Sequence, residues 1–232
     1  MAQHNGIRTK SASRRKPDEA KQTTRQRLLE AAGQVFADKG FSAATGKEIA
    51  ALAGVNTAAV NYYFGGVDEL YAAVIQEARD RLIKTEEVVA AIAGKTDATA
   101  KLEAVIGLLV PAITRPAASS WPVRVLGREI VAPSPAIETL LNEVTIRVGI
   151  MRSIVAELMG LPAAHPAVTR GIISAVAPFL MLLIYDRRVL RRLFPDLTLT
   201  PQDNAAIVRH MVQFTLAGLA AVARDAQVHD PA

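Results

Sequence analysis

Residues 55–70 read VNTAAVNYYFGGVDEL, which puts three adjacent aromatic residues and two asparagines into a chain where aromatics make up only 5% of the sequence. Asn56 is a favoured N-cap, so the run predicts a short helix from Asn56 through Val60 to Tyr63, ended by Gly65-Gly66. Asp68 and Glu69 then fall in the first turn of a longer helix reaching Ile92, where acidic side chains suit the positive end of the helix dipole. Upstream, Thr45-Gly-Lys-Glu48 has the form of a capping box and opens a helix from Gly46 to Ala53, which Gly54 stops. Before that, Leu28, Leu29, Ala32, Val35 and Phe36 repeat at helical spacing between about Thr23 and Gly40, and Phe41 is expected to tuck into the core.

An apolar helix followed by two short helices around a tight glycine turn describes a helix-turn-helix in a three-helix frame. Such a motif needs a second helix that packs on one face and offers polar groups to a DNA major groove on the other. Val60 and Phe64 can face inward, leaving Thr57, Asn61 and the hydroxyls of Tyr62 and Tyr63 available, while Ala58 and Ala59 permit close approach to base edges. Asparagine can pair bidentately with adenine, and alanine can touch a thymine methyl. A glycine between two helices also occurs in helical proteins that bind no nucleic acid. The neighbouring charge favours DNA: Arg8, Lys10, Arg14, Arg15, Lys16, Lys21, Arg25 and Arg27 outnumber Asp18 and Glu19, so residues 1–27 account for the net charge of +5 and the rest of the chain is nearly neutral. Residues 1–22 lack apolar periodicity and read as a disordered basic arm, with the helix-turn-helix at 23–66 and a helical remainder at 67–226.

Past Gly94 the pattern predicts helices over Asp97–Thr114, Trp121–Val131, Pro135–Met159, His165–Phe194 and Pro201–Arg224, with no strand signal and no internal repeat, hence an all-α fold. Pro122, Pro135, Pro166 and Pro201 fit first turns, whereas Pro178 lies inside a helical pattern and predicts a kink. The chain has no cysteine, which removes disulfides, thiol nucleophiles and thiolate metal sites. The longest uncharged run, Gly171 to Tyr185, falls short of the roughly 18–20 residues of a membrane span, and no apolar leader with a cleavage site follows Met1, so a cytoplasmic protein with no membrane partner is expected. His4, His165, His210 and His229 are scattered, Glu86 and Glu87 point apart on a helix, and no phosphate loop or serine elbow is visible. No enzymatic activity, cofactor or metal is expected.

Residues 28–71, LLEAAGQVFADKGFSAATGKEIAALAGVNTAAVNYYFGGVDELY, resemble the DNA-binding domain of the TetR/AcrR family of bacterial transcriptional regulators, and LGREIVAPSPAIETLL at 126–141 resembles its CecR-like subgroup. The resemblance implies that Thr45 and Tyr63 hold DNA phosphates, that Lys47 reaches base or backbone, and that Asn56, Thr57, Ala58 and Asn61 lie at the reading face with Tyr62 close to the backbone. Two positions depart from the family pattern: Val67 stands where a phosphate-binding lysine is usual, and Asn61 where many members carry tyrosine.

The same resemblance implies a carboxy-terminal domain that binds an effector and dimerises through its last two helices, around residues 172–193 and 205–223, in a four-helix bundle. A dimer suits a palindromic operator, and a small apolar or amphipathic effector that swings the helix after Gly66 would separate the two reading helices and release DNA. Expected pocket walls are Leu102, Ile106, Leu109, Trp121, Leu140, Val144, Met151 and Phe179, with Arg128, Asn142, Arg147 and Tyr185 as polar contributors. The competing reading is a basic nucleic-acid or membrane-surface adaptor that uses its arm and has no effector.

Overall fold

The computed structural model describes residues 17–114 and 121–229, and among them every regular element is helical. The first helix, α1 (Pro17–Lys39), starts ahead of the expected Thr23, so residues 17–22 of the supposed disordered arm are helical; the arm before Pro17 lies outside the described residues. Proline, aspartate, glutamate and alanine at 17–20 are residue types that a first helical turn favours, and such a turn can form without apolar periodicity. The motif follows as α2 (Gly46–Ala53), α3 (Ala58–Phe64) and α4 (Val67–Leu82).

Two expected long helices are interrupted. The one after Gly66 ends at Leu82, because Ile83 turns to extended backbone (φ −146°, ψ 121°), and α5 (Thr85–Ile92) begins anew. Ile83 is buried in a different core from the residues before it, and Arg147 Nη1 donates to its carbonyl at 3.3 Å. The helix expected over His165–Phe194 breaks at Tyr185-Asp186, giving α9 (Pro166–Ile184) and α10 (Arg187–Leu193), since the Asp186 carboxylate accepts from the Arg188 amide at 2.7 Å and caps a new start. Between these lie α6 (Ala98–Thr114), α7 (Trp121–Val131) and α8 (Ile137–Met159); a 3-10 turn at Pro201–Asp203 leads into α11 (Asn204–His229), longer than expected. α9 continues through Pro178, and α6 through Pro111, a proline that leaves the Gly107 carbonyl without its usual helical donor.

Among the described residues, three apolar cores hold the helices. The first combines α1 to α4 with Trp121, Val125 and Leu126 of α7. Leu28, Ile49 and Leu70 are fully buried in it, each contributing about 1.5–3 kcal/mol of transfer free energy. The second gathers α5, α6, Ile154 of α8, Phe179 and Leu182 of α9, Leu190 of α10 and Val212 of α11; the third joins Val155 and Met159 to Val168, Ile172, Leu219 and Ala223 at the far end of the same bundle. The first core therefore does not stop at Gly66. Phe36 and Phe41 meet Tyr71 of α4 at ring-centroid distances of 4.7 and 4.9 Å, and α7 lies across both α1 and α4.

Pro166–Ile184 and Pro201–Val228 are long and apolar enough to cross a membrane by length and composition alone, a property that core helices of soluble proteins share. Each packs against other helices, α9 against α6, α7, α8 and α11, and α11 against α6, α8 and α9.

Gly33 of α1 faces the Trp121 indole so closely that a Cβ would press into the ring. The substitution Gly33→Ala is expected to lower stability by about 1–3 kcal/mol through overpacking, despite alanine's better helix propensity. Thermal unfolding followed by circular dichroism measures it; an unchanged or raised Tm contradicts the packing described.

Candidate nucleic-acid interface

The third helix, α3, is set by short-range chemistry. Thr45 caps α2, its hydroxyl oxygen accepting from the Glu48 amide at 3.3 Å, but the reciprocal half of the capping box is absent because the Glu48 carboxylate pairs with Lys39 at 2.6 Å. Gly54, at φ 65°, ends α2 in a conformation that favours glycine. Asn56 Oδ1 accepts from the Ala58 amide at 2.9 Å, so Asn56 does start α3, and regular helix begins two residues later at Ala58. Gly65 stops it at φ 93°. Two cations counted with the basic arm have local partners instead: Arg27 donates to the carbonyls of Ala53 and Gly54, fastening α1 to the turn, and Arg25 stacks over the Phe64 ring at 4.8 Å.

Val60 is buried, and Ala59, Tyr63 and Phe64 pack partly against the first core. Thr57, Ala58, Asn61 and Tyr62 are exposed, Tyr62 by 69%, as are Thr45, Lys47 and Asn56. The Tyr62 and Tyr63 rings meet edge to face at 4.9 Å, which limits how far either can turn. Val67 is half-buried against the first core, and its Cγ2 lies 3.2 Å from where a side chain on Gly46 would start. It packs α4 onto α2, a place a lysine would fill with its stem.

The residues expected to form one effector pocket are dispersed. Leu102, Ile106 and Phe179 are buried in the second core, with Leu109 and Met151 partly buried against it. Trp121 and Val144 belong to the first, Asn142 is exposed, and the Leu140 side chain lies outside what is described. Arg128 donates to the carbonyls of Ala37 and Asp38, both at 2.8 Å, and so satisfies the open end of α1. A cavity of about 620 Å³ does open beside Trp121, with Leu82, Leu108, Pro111 and Ala112 as apolar wall and Glu30, Asp80 and Glu87 as acidic rim. The Trp121 indole donates to Glu30 of α1 at 2.7 Å, Arg81 of α4 bridges to Glu30 at 2.9 Å, and its guanidinium lies over the indole at 5.0 Å. Gly107, whose carbonyl lacks its helical donor, lines the same cavity. A larger groove of about 1490 Å³ takes in Arg128 and Tyr185 on the other side of α7.

One buried network joins the motif to the rest. Glu129 of α7 is 1% exposed; it accepts from the Tyr71 hydroxyl at 2.6 Å and from the Ser134 amide and hydroxyl at 2.9 and 3.0 Å. Burial, and the adjacent Glu129 carboxylate, push the Tyr71 hydroxyl well above the usual tyrosine range, so it stays a donor. Sequence reading passed over Tyr71, Glu129 and Glu30; the one available signal was a glutamate within the apolar turns of α7.

Comparison with known proteins agrees with this geometry. The model for bacterial regulatory proteins of the tetR family matches residues 28–74, and that for the C-terminal domain of the HTH-type transcriptional dual regulator CecR matches residues 98–219, more than half of the chain. The chain belongs to the TetR family of DNA-binding transcriptional regulators, with a C-terminal domain of the CecR type. It is 37% identical over 70 residues to the probable HTH-type transcriptional regulator YttP of Bacillus subtilis (strain 168), a match covering 30% of this chain and about a third, 34%, of that relative. In fold it is similar to the ketosteroid transcriptional regulator KstR2 of Mycobacterium tuberculosis (TM-score 0.62, 16% identity, 84% of this chain and 93% of that one). It is equally similar to AibR, solved in complex with isovaleryl coenzyme A and operator DNA (TM-score 0.62, 19% identity, 82% and 97%).

Removing the Tyr71 hydroxyl leaves a buried carboxylate short of a donor. Tyr71→Phe is expected to cost about 1–3 kcal/mol in chemical denaturation, whereas Tyr71→Phe with Glu129→Leu recovers part of the loss. Equal stability of Tyr71→Phe and the parent contradicts the network.

Proposed function

We propose that the protein is a ligand-responsive repressor of the cytoplasm, without enzymatic activity, that binds a palindromic operator as a dimer and leaves it when a small apolar or amphipathic effector binds. In this reading residues 23–66 are the DNA-reading unit and 67–226 the regulatory and dimerising part. The observation that carries it is the unspent face of α3: Thr57, Ala58, Asn61 and Tyr62 are exposed beside Thr45 and Lys47, while the opposite face is packed. Asn61 and Ala58 read base edges, Asn56 and Thr57 flank them, and Thr45, Lys47, Tyr62 and Tyr63 meet the phosphate backbone.

Dimerisation is supported by the outer faces of α9 and α11. Ile173, Met181, Phe214 and Val222 are apolar and exposed, Phe214 by 68%, and a long apolar helix left this open suits a four-helix bundle with a second copy. Two-fold symmetry then sets the reading helices about 34–36 Å apart, one turn of DNA. The effector reading is supported by the cavity beside Trp121, whose wall includes Leu108 and Ala112, which also pack against the core of Leu102, Ile106 and Phe179. An effector there presses on Trp121, Arg81 and Glu30, the contacts that join α7 and α4 to α1. The fold is shared with AibR, which was solved with both a ligand and operator DNA.

Selection of bound duplexes from a random pool is expected to enrich a palindrome, and Asn61→Ala to weaken binding roughly tenfold while relaxing preference at one base pair per half-site. A pool that enriches no sequence overturns the proposal. Light scattering at about micromolar concentration is expected to give the mass of a dimer, and Phe214→Glu that of a monomer; a monomeric parent chain contradicts the bundle.

A further inference from the structure

We infer that the large groove between α7 and α10 binds a small amphipathic anion, with a phosphate or carboxylate head and a short apolar tail, at a site separate from the cavity beside Trp121. The groove runs from the end of α1 and the turn after it, along α7 and residues 131–135, to the end of α9, α10 and residues 195–201. Its charge is one-sided: Lys39, Arg124, Arg128, Arg187, Arg188 and Arg191 face Asp38 and Asp186 alone.

Both carboxylates are already engaged. Asp38 pairs with Arg124, and the Arg188 side chain and amide hold the Asp186 carboxyl down at about 2. Lys39 is taken by Glu48. Arg128, Arg187 and Arg191 are then left with backbone carbonyls as their acceptors among the described residues, and a carbonyl does not balance a full charge.

Arg187 is the most exacting of the three. Its Nη2 donates to the Ile113 carbonyl, while its Nη1 is buried with no acceptor among the described residues. Burial, and then the like charge of Arg191, lower its proton affinity. A guanidinium this poorly compensated is costly to hold in place, and an anion seated against Arg187 and Arg191 supplies a counter-charge that the described residues do not.

The apolar half of the ligand follows from the rest of the wall. Phe41, Val131, Ile184 and Leu197 line the groove, with Val131 67% exposed, and the volume of about 1490 Å³ has room for a head and a tail. Arg124 and Arg128 also hold the end of α1 through Asp38 and the Ala37 and Asp38 carbonyls, so an anion competing for Arg124 loosens the chain just before α2. That regulatory consequence rests on the DNA-binding reading; the anion site itself does not.

The test is calorimetric titration of the full chain, without DNA, with octyl phosphate, octanoate, octylammonium and inorganic phosphate. The two amphipathic anions are expected to bind, their ratio identifying the preferred head, and inorganic phosphate to bind more weakly for want of a tail. Octylammonium is expected not to bind. Arg191→Gln, an exposed position, and Arg187→Gln are each expected to weaken the anions roughly tenfold with the folded spectrum intact. The proposal is overturned if neither anion binds at millimolar concentration, if octylammonium binds equally well, or if Arg191→Gln binds as tightly as the parent. It is also overturned if Arg191→Gln loses affinity for a random-sequence duplex with no anion present, since the groove then serves DNA phosphate.

Discussion

The hydrogen bond from Tyr71 to the buried carboxylate of Glu129 is the contact on which the rest of the molecule depends. A carboxylate at 1% exposure is expensive unless its oxygens are satisfied, and three donors from two directions do that here: Tyr71 on α4, and the amide and hydroxyl of Ser134 in the turn entering α8. The geometry of the site is thereby fixed from both sides. α4 cannot shift along α7 without stripping a buried charge of a donor.

Trp121 makes the second connection and gives it a direction. Its indole lies against Gly33 of α1, donates to Glu30 and sits beneath Arg81, so α1, α4 and α7 meet at one side chain. Together with Arg128 on the α1 carbonyls, these contacts give the helix-turn-helix a core shared with α7. In the proposed reading, motion of α3 is a motion of α4 against α7, and an effector would act on it by favouring one seating over another. The two hollows described above adjoin this seam, one at Trp121 and one at Arg124 and Arg128.

The motif was legible because its signals are local. Gly54 and Gly65 adopt left-handed backbone where the sequence places breaks, Thr45 and Asn56 cap as their types predict, and the bounds of α2 and α7 follow from caps and period. The breaks at Ile83 and at Tyr185 were not legible, since each is made by a side chain joining a distant core or by a cap within an arginine-rich run. The pocket was the least legible part. Apolar residues at helical spacing name a buried face, but whether that face meets a neighbour, as at Leu102 and Phe179, or a hollow, as at Leu108 and Pro111, is decided by helices far away in sequence. Charge was only partly legible for the same reason: Arg25 and Arg27 enter the basic excess of residues 1–27, yet one stacks on Phe64 and the other ties down the turn.

The measurement that tests the shared core most directly is native-state hydrogen exchange on the full chain. If the motif and α7 form one cooperative unit, the slowest amides of Leu28–Phe36, Leu70–Ile75 and Val123–Leu126 open with the same free energy and the same denaturant dependence. If α1 to α3 instead open through a separate, lower-energy transition while α4 and α7 stay protected, the reading unit is an independent domain and the coupling through Tyr71 and Glu129 is contradicted.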